Sequence, residues 1–262
     1  MKKLLLALLF ITMGISASQA QDIKVLTYNI YHGENPGSPG KPNLHQIADL
    51  IVNLQPDVVV LQEVDSMTNR SKGIYGEKID LVQKLAEMTG YKGHFSKAMI
   101  YSEGGYGEGI LIKKGGNFQS QNLSTPAGGE PRAAIWGELT LNSVKKVQIG
   151  GTHLCHQFTE NRIAQLHELI HFENPDALPR ILMGDLNFGP ESEEYQHIPS
   201  NWTDAAKSFD IRSNTYESTS GGDRIDYILA ESKHFEVIDY QVLKVDYSDH
   251  FPVWAILRLK NP

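Results

Sequence analysis

The chain has a single cysteine, Cys155, among 262 residues. One thiol cannot form an internal disulfide, so the stability of the fold must come from a hydrophobic core rather than from cross-links. The length is sufficient to build such a core as a single domain. Cys155 itself is interpreted as a small buried residue.

Positive charge is also scarce, because 24 Lys and Arg residues stand against 31 Asp and Glu residues, for a formal net charge of −7. This balance argues against a protein that holds nucleic acid on a broad basic surface, and no stable nucleic-acid complex is expected. The balance is compatible with an enzyme that contacts a phosphate group locally while a metal ion supplies the positive charge.

The apolar run at the N-terminus is too short to span a bilayer, which takes about 20 residues. It follows Lys2 and Lys3, and it precedes the small residues of "SASQA". This order is typical of a secretory signal peptide at residues 1–20. We therefore expect an exported, periplasmic or secreted protein, with residues 21–262 forming one catalytic domain that has no membrane span. Removing residues 1–20 takes away two lysines and no acid, which changes the formal charge from −7 to −9.

Apolar runs typical of strands alternate with helical patterns along the rest of the chain. The strand-like runs are 23–30, 57–64, 109–114, 134–139, 146–154, 180–187, 224–230 and 251–259. The 3–4 spacing of apolar residues predicts helices over 43–54, 77–89 and 159–172, with Gly90 ending the second and Thr159 capping the third.

One strand–helix–strand pattern occurs twice. "KVLTYN" leads through a helix to "VVVLQE", and "KVQIGGTH" leads through a helix to "ILMGDLN", so that 34 residues separate Asn29 from Glu63 and 32 separate His153 from Asp185. The repeat suggests two sheets packed face to face with helices outside, and polar strand ends gathered at one edge.

Polar side chains stand where the apolar runs end. They are Asn29, Glu63, His153, Asp185, Asn187, Asp226, Asp249 and His250. Each has a structural alternative, since Asp, Asn, Gly and Pro also make turns. Charged side chains are rarely buried unless they are paired or bind a metal, however, and Glu, Asp and Asn oxygens suit Mg²⁺ or Mn²⁺. No nucleophile elbow and no Walker loop is present, which leaves metal-assisted attack by water.

The motifs "TYNI", "LQEV", "GDLN", "RIDYI" and "SDHFPV", in this order, resemble those of the endonuclease/exonuclease/phosphatase superfamily of metal-dependent phosphohydrolases. The resemblance extends over about residues 23–259. It implies an α/β fold, a four-layer αββα sandwich of two mixed β-sheets flanked by helices. Among its branches, the chain resembles the deoxyribonucleases, sphingomyelinases and inositol phosphatases more than the abasic-site endonucleases.

The resemblance also implies a Mg²⁺ (or Mn²⁺) cofactor and a role for each matching residue. Glu63 would be the principal metal ligand, with Asn29 and Asp249 beside the metal. Asp185, oriented with Asn187, would be the base that activates the attacking water.

On the phosphate side, the resemblance implies that His250 contacts the scissile phosphate and is held by Asp226. His153 would be the second histidine there. Arg132 matches a position where family members often place a phosphate-binding basic residue, although it is also compatible with a surface arginine. Glu108 is a candidate for orienting His153, or is a solvated acid.

The expected activity is phosphodiester hydrolysis by an exported, monomeric enzyme on a small-molecule, lipid or nucleotide phosphate ester. A phosphomonoesterase acting on a sugar, inositol or lipid phosphate and a secreted nuclease remain as alternatives. Aromatic residues expected in loops are candidates for substrate contact: Tyr31, Tyr101, Tyr106, Phe188, Trp202 and Tyr216.

Two further hypotheses stay beside this one. "HELIH" at 167–171 matches the H-E-x-x-H pattern that places two histidines on one helix face for zinc, as in a zinc peptidase. That hypothesis leaves the polar strand ends unexplained. A non-catalytic scaffold that keeps the fold for binding would show substitutions at the metal and base positions, and the sequence has none.

Overall fold

The computed structural model describes residues 21–142, 145–218 and 221–260. The predicted signal peptide at 1–20 lies outside the described residues. The strands are β1 Gln21–Asn29, β2 Val58–Ser66, β3 Lys92–Tyr101, β4 Gly104–Ile112, β5 Gly115–Leu123, β6 Arg132–Thr140, β7 Lys146–His153, β8 Arg180–Asp185, β9 Trp202–Asp204, β10 Tyr216–Ser218, β11 Gly221–Asp223, β12 Asp226–Glu231, β13 Phe235–Val242 and β14 Val253–Leu259.

The helices are α1 Leu44–Leu54, α2 Asn69–Tyr75, α3 Leu81–Thr89, α4 Thr159–Ile170 and α5 Glu193–Gln196, with short 3-10 helices at Tyr31–Gly33 and Ala206–Phe209. None of the helices in the described ranges is both long enough and apolar enough to cross a bilayer.

Twelve of the strands form two mixed six-stranded sheets. The first has the order β13-β14-β1-β2-β4-β3 and the second β5-β6-β7-β8-β12-β9, while β10 and β11 pair as a separate hairpin. In each sheet one pair is parallel, β1 with β2 and β7 with β8, and each pair is joined by a helix, α1 or α4. The predicted repeat is therefore confirmed.

Three layers of apolar side chains separate four layers of backbone. Alternate residues of a strand point to opposite faces, so Val25 and Val60 meet Ile149 and Met183 between the sheets. The outward residues of the first sheet pack under α1 and α3, and those of the second sheet pack under α4. The predicted four-layer αββα sandwich is confirmed.

The antiparallel neighbours bring further loops to the edge where the parallel strands end. β14 runs antiparallel to β1, and β12 runs antiparallel to β8 with Asp226 directly opposite Asp185. Because the start of an antiparallel strand lies beside the end of its neighbour, the segments that precede β12 and β14 reach the ends of β8 and β1. The ends of β1 and β8 and the segments that precede β14 and β12 therefore all lie at one edge of the sandwich.

Two helix boundaries differ from the prediction. The helix predicted over 77–89 begins only at Leu81, because the Asp80 side chain caps it by accepting a hydrogen bond from the Gln83 backbone N–H. The preceding Ile79 carbonyl instead accepts from Met67 N–H. In α4, Thr159 is the first helical residue rather than the cap. Gly90 ends α3 in the left-handed conformation, as predicted.

Candidate active site

A polar cavity of about 330 Å³ opens at this edge of the sandwich. Both sheets contribute to its lining, which consists of Glu63, Tyr106, Glu130, Arg132, His153, His156, Asp185, Asn187, Tyr216, Ile225, Asp249 and His250. Asn29 and Asp226 stand directly behind this lining, because they hydrogen-bond to Asp185 and His250. Nine of the ten residues singled out in the sequence thus either line the cavity or bond to its lining, and Glu108 is discussed below.

Glu63 reaches the cavity from within β2 rather than from its end, which corrects the expectation that every polar residue terminates a strand. The pairing of β2 with β4 shifts between Leu61 and Val64, and Glu63 has a φ of 57°. A β-bulge re-aims a side chain, and a left-handed φ is unfavourable for a residue with a Cβ. The local backbone therefore accepts strain where Glu63 faces the cavity.

Asp185 ends β8 and is almost fully buried, with 1% of its surface exposed. Its Oδ1 accepts from Asn187 N–H at 3.0 Å, and its Oδ2 accepts from Asn29 Nδ2 at 3.2 Å. Asn187 has a left-handed φ of 55° and donates its side-chain amide to the Leu154 carbonyl. Burial and repulsion from Asp226 raise the pKa of Asp185 to about 7.

His250 and Asp226 form a buried pair in which Nδ1 of the ring lies 2.9 Å from Asp226 Oδ2. Burial opposes charge on the ring, but the Asp226 and Asp185 carboxylates outweigh it and raise the pKa of His250 to about 10. The ring is therefore an imidazolium at neutral pH. Thr215 Oγ1 accepts from Asp226 N–H at 3.0 Å and fixes the start of β12, a contact that no sequence pattern indicates.

His153 contacts the same carboxylate oxygen as His250, with Nε2 3.4 Å from Asp185 Oδ2. Burial and the positive charge of Arg132 hold the pKa of His153 well below its usual range, so the ring is neutral. The Arg132 side chain is only 2% exposed, which excludes the surface-arginine alternative.

Glu108 is 1% exposed, so the solvated alternative is wrong for this residue. Burial raises the pKa of Glu108 well above its usual range, and Oε2 has no hydrogen-bond partner in the described part of the chain. His153 contacts Arg132 Nη1 at 3.4 Å, whereas no hydrogen bond joins it to Glu108 among the residues described. A role for Glu108 in orienting His153 stays a prediction.

The oxygen-rich side of the cavity is formed by Glu63 and Asp249. Burial and the Asp249 carboxylate raise the pKa of Glu63, despite a 3.2 Å hydrogen bond from Asn29 Nδ2. Two carboxylates that face the same partly buried cavity are the donor set that a hard divalent cation neutralises. These residues therefore fit Mg²⁺ or Mn²⁺.

Asn29 has a different geometry from the one implied by the family resemblance. Its Oδ1 accepts from Tyr31 N–H at 3.2 Å, and its Nδ2 points at Glu63 and Asp185. In this orientation the amide bridges the two carboxylates. Direct contact of its oxygen with a metal stays a prediction.

A second group with metal-ligand chemistry was not foreseen in the sequence. Asp185, Asp226 and His250 each place one ligand atom so that all lie within 4.8 Å of one another. His250 Nδ1 already pairs with Asp226 Oδ2 at 2.9 Å, so two members of this group are engaged with one another. Glu63 and Asp249 are the better candidates.

Of the six aromatic residues predicted for substrate contact, Tyr31 and Tyr101 belong neither to the cavity lining nor to the buried core. Tyr106 and Tyr216 line the cavity, whereas Phe188 and Trp202 are buried under α4 in the outer core of the second sheet. In "HELIH", His167 lies on α4 and His171 is the residue that caps its C-terminus. Their ring centroids are 4.1 Å apart, and neither histidine belongs to the cavity. Two polar residues of the cavity lining, Glu130 and His156, were missed because each stands in a loop without a recognisable motif.

Comparison with known proteins agrees with this architecture. The sequence matches the family described as "Endonuclease/Exonuclease/phosphatase family" over residues 26–250. No curated protein matches the sequence significantly.

Among solved structures, the chain is similar to an endonuclease/exonuclease/phosphatase of Beutenbergia cavernae, with a TM-score of 0.74, 22% identity, and coverage of 92% of this chain and 72% of that chain. It is also similar to the human Nocturnin catalytic domain with bound sulfate, with a TM-score of 0.71, 22% identity, and coverage of 92% of this chain and 98% of that chain. A third similar structure is a mannosyl-6-phosphatase of Bacteroides thetaiotaomicron, with a TM-score of 0.70, 18% identity, and coverage of 90% of this chain and 99% of that chain. At these identities the similarity shows the fold alone.

Proposed function

The chain belongs to the endonuclease/exonuclease/phosphatase family, and from that premise we propose that it is a divalent-metal-dependent phosphohydrolase whose reaction takes place in the 330 Å³ cavity. The family name covers hydrolases of phosphoric esters, and the motif resemblance is thereby confirmed. The observation that carries the proposal is the meeting of Glu63, Asp185 and His250 from two sheets in one cavity.

Glu63 and Asp249 are the residues that would hold Mg²⁺ or Mn²⁺. When bound, the ion supplies Lewis-acid polarisation of the phosphoryl group and lowers the pKa of a nearby water. Asn29 keeps the Glu63 carboxylate at a fixed distance from Asp185, because its Nδ2 lies 3.2 Å from an oxygen of each.

Asp185 is the proposed general base. A base works best when its pKa is close to the working pH, and the pKa of Asp185 is raised to about 7 in the metal-free protein. Asn187 N–H and Asn29 Nδ2 hold the two carboxylate oxygens, so the oxygen that receives the proton of the attacking water has a defined position.

The two histidines have opposite charge states, which suits different tasks at the phosphate. His250 is an imidazolium held by Asp226, and it can stabilise negative charge on the phosphoryl oxygens as that charge develops. His153 is neutral and can donate one hydrogen bond there. Arg132 adds a fixed positive charge beside them.

Hydrolysis of bis-p-nitrophenyl phosphate and p-nitrophenyl phosphate by residues 21–262 tests this proposal. We expect cleavage that stops with EDTA, returns with Mg²⁺ or Mn²⁺, and is at least about 10²-fold slower in Asp185→Ala. Faster cleavage of the first ester would support the phosphodiesterase preference, and faster cleavage of the second would favour a phosphomonoesterase. Cleavage that persists in EDTA, or an unchanged rate in Asp185→Ala, would contradict the proposed mechanism.

Export is a separate part of the proposal and rests on the sequence of residues 1–20. Expression of the full chain in a bacterial host, followed by N-terminal sequencing of the periplasmic fraction, tests it. A mature N-terminus near Gln21 is expected, whereas an uncleaved cytoplasmic product would overturn it.

A further inference from the structure

One wall of the cavity holds two polar side chains that the proposed mechanism leaves without a task. Glu130 lies in the loop before β6, and His156 lies in the loop after β7. Both line the cavity, and their side chains are 28% and 49% exposed. They differ in this from Asp185 and His250, whose side chains are 2% and 5% exposed.

Arg132 determines which nitrogen of His156 carries the proton. Its Nη2 lies 3.0 Å from His156 Nδ1, and its Nη1 lies 3.4 Å from His153 Nδ1. A guanidinium has only donors, so both Nδ1 atoms accept and both rings carry their proton on Nε2. His156 therefore presents an Nε2–H group, for which the described residues provide no partner.

Glu130 places a carboxylate beside the His156 ring, on its Nδ1 side. Its Oε1 lies 3.4 Å from Arg132 Nη1, and its Oε2 lies 4.0 Å from His156 Nδ1. A carboxylate at this wall disfavours a second phosphate group, whereas a hydroxyl group both donates and accepts hydrogen bonds. Adjacent hydroxyls can bond to Glu130 with one O–H and to His156 Nε2–H with one oxygen.

We propose that Glu130 and His156 form a subsite for the hydroxyl groups of the substrate's alcohol moiety, so that the substrate is a sugar or polyol phosphate ester. This inference rests on the proposed function. The cavity is at the small end of ligand pockets, which run from about 300 to about 1,000 Å³, and Tyr106 and Tyr216 give it apolar walls. This combination suits the C–H faces and hydroxyls of one polyol unit.

The kinetic test compares hydroxylated esters with aryl esters in the same protein. The pairs are glucose 6-phosphate with p-nitrophenyl phosphate, and glycerophosphoglycerol with bis-p-nitrophenyl phosphate. We expect the ratio of kcat/KM for the hydroxylated ester to that for the aryl ester to fall at least tenfold in Glu130→Gln and His156→Ala. His156→Gln retains an N–H donor and should recover part of the ratio. Glu160→Gln and His167→Ala, which alter exposed positions on α4, should leave it unchanged.

Each outcome decides the inference. A ratio that is the same in Glu130→Gln, His156→Ala and wild type would overturn the subsite, and so would cleavage of aryl esters with no cleavage of either hydroxylated ester. Failure to cleave any of the four esters with Mg²⁺ or Mn²⁺ present would overturn the proposed function, and the subsite with it.

The tautomer provides a second measurement that does not depend on turnover. Long-range ¹H–¹⁵N correlation spectra at pH 8 should show His156 as the neutral Nε2–H form, with its signals assigned by their loss in His156→Gln. A ring protonated on Nδ1 would overturn the donor role of His156.

Discussion

Each half of the sandwich brings the polar residues of one parallel strand pair to the cavity, but the two halves surround these residues differently. β1 and β2 supply Asn29 and Glu63, whereas β7 and β8 supply His153 and Asp185. His153 pairs directly with Asp185, but Asn29 pairs with Gln62, one residue before Glu63. Glu63 sits in a bulge and is partly exposed, and the only direct partner of its carboxylate among the described residues is an amide. Asp185 is buried between two histidines and faces another acid.

The difference shows how one repeated scaffold supports two kinds of chemistry. A carboxylate at a half-open position with a second carboxylate nearby favours a cation, as on the first sheet. A carboxylate buried beside an acid and an imidazolium has its pKa moved close to neutrality, as on the second sheet. Burial and neighbours, rather than the type of side chain, separate the metal side from the proton side.

The largest effect is expected on the second sheet. Asp185→Ala removes the proposed base and should lower kcat about 10²- to 10⁴-fold, the usual range for general base catalysis. Metal affinity, measured by calorimetry, should change much less, because Glu63 and Asp249 remain. A rate within threefold of wild type would assign the base elsewhere.

His250→Ala should come next, with a loss of about 10²- to 10³-fold in kcat, the range seen when one group that stabilises transition-state charge is removed. His250 comes from the loop that also carries Asp249, so this variant tests whether that loop serves both sides of the cavity. Stopped assays with saturating metal measure the loss. His167→Ala, on α4, is the matched control and should be fully active.

Glu63→Gln tests the first sheet. Because a ligand is lost while the shape is kept, metal affinity should fall by more than about tenfold, and activity should recover when excess Mg²⁺ or Mn²⁺ is added. Full activity at ordinary metal concentration would remove Glu63 from the metal side. The comparison predicts that excess metal rescues Glu63→Gln and does not rescue Asp185→Ala.

The smallest effect concerns stability in EDTA. The pKa of Asp185 is raised from 3.8 to about 7, so the folded state disfavours its ionised form. Below pH 3.8 the Asp185 carboxyl is protonated in both the folded and the unfolded state, so it does not lower the free energy of unfolding. As the pH rises towards 7, the unfolded state ionises first, and folding stability falls by at most about 1.4 kcal/mol per pH unit.

Asn cannot ionise, so Asp185→Asn should be increasingly more stable than wild type between pH 4 and 6. His250 is protonated in both the folded and the unfolded state in this window, because these pH values lie below the ordinary histidine pKa of 6.5 and the folded state raises it further. Urea unfolding at several pH values measures the difference. A difference that is constant with pH would show that Asp185 is not held in this environment.

Much of the site was predictable because each residue ends or follows an apolar run. The ends of parallel strands meet at one edge, which is why Asn29, His153 and Asp185 were correctly placed together. Glu63 was expected at a strand end and lies inside β2 instead, since a bulge depends on the pairing with β4. Thr215, Glu130 and His156 were not predicted, because their roles depend on neighbours distant in sequence.

The fold followed from local patterns in a similar way. Apolar periodicity indicated α1, α4 and the strands that form the centre of each sheet, but not edge strands such as β5 and β13, whose residues are more polar and more exposed. The helix expected at 77–89 started late because a capping side chain and a backbone hydrogen bond outweighed the apolar spacing.

The sequence by itself determined the alternation of strands and helices, the repeat, the family motifs and the kinds of side chain available for chemistry. These properties are local, since they depend on period, order and residue type. Only the tertiary structure decided that Asp185 is buried while Glu63 is partly open, that His250 is charged while His153 is neutral, and that Arg132 orients two histidines. Those properties are set by burial and by charges a few ångströms away, which a linear sequence does not specify.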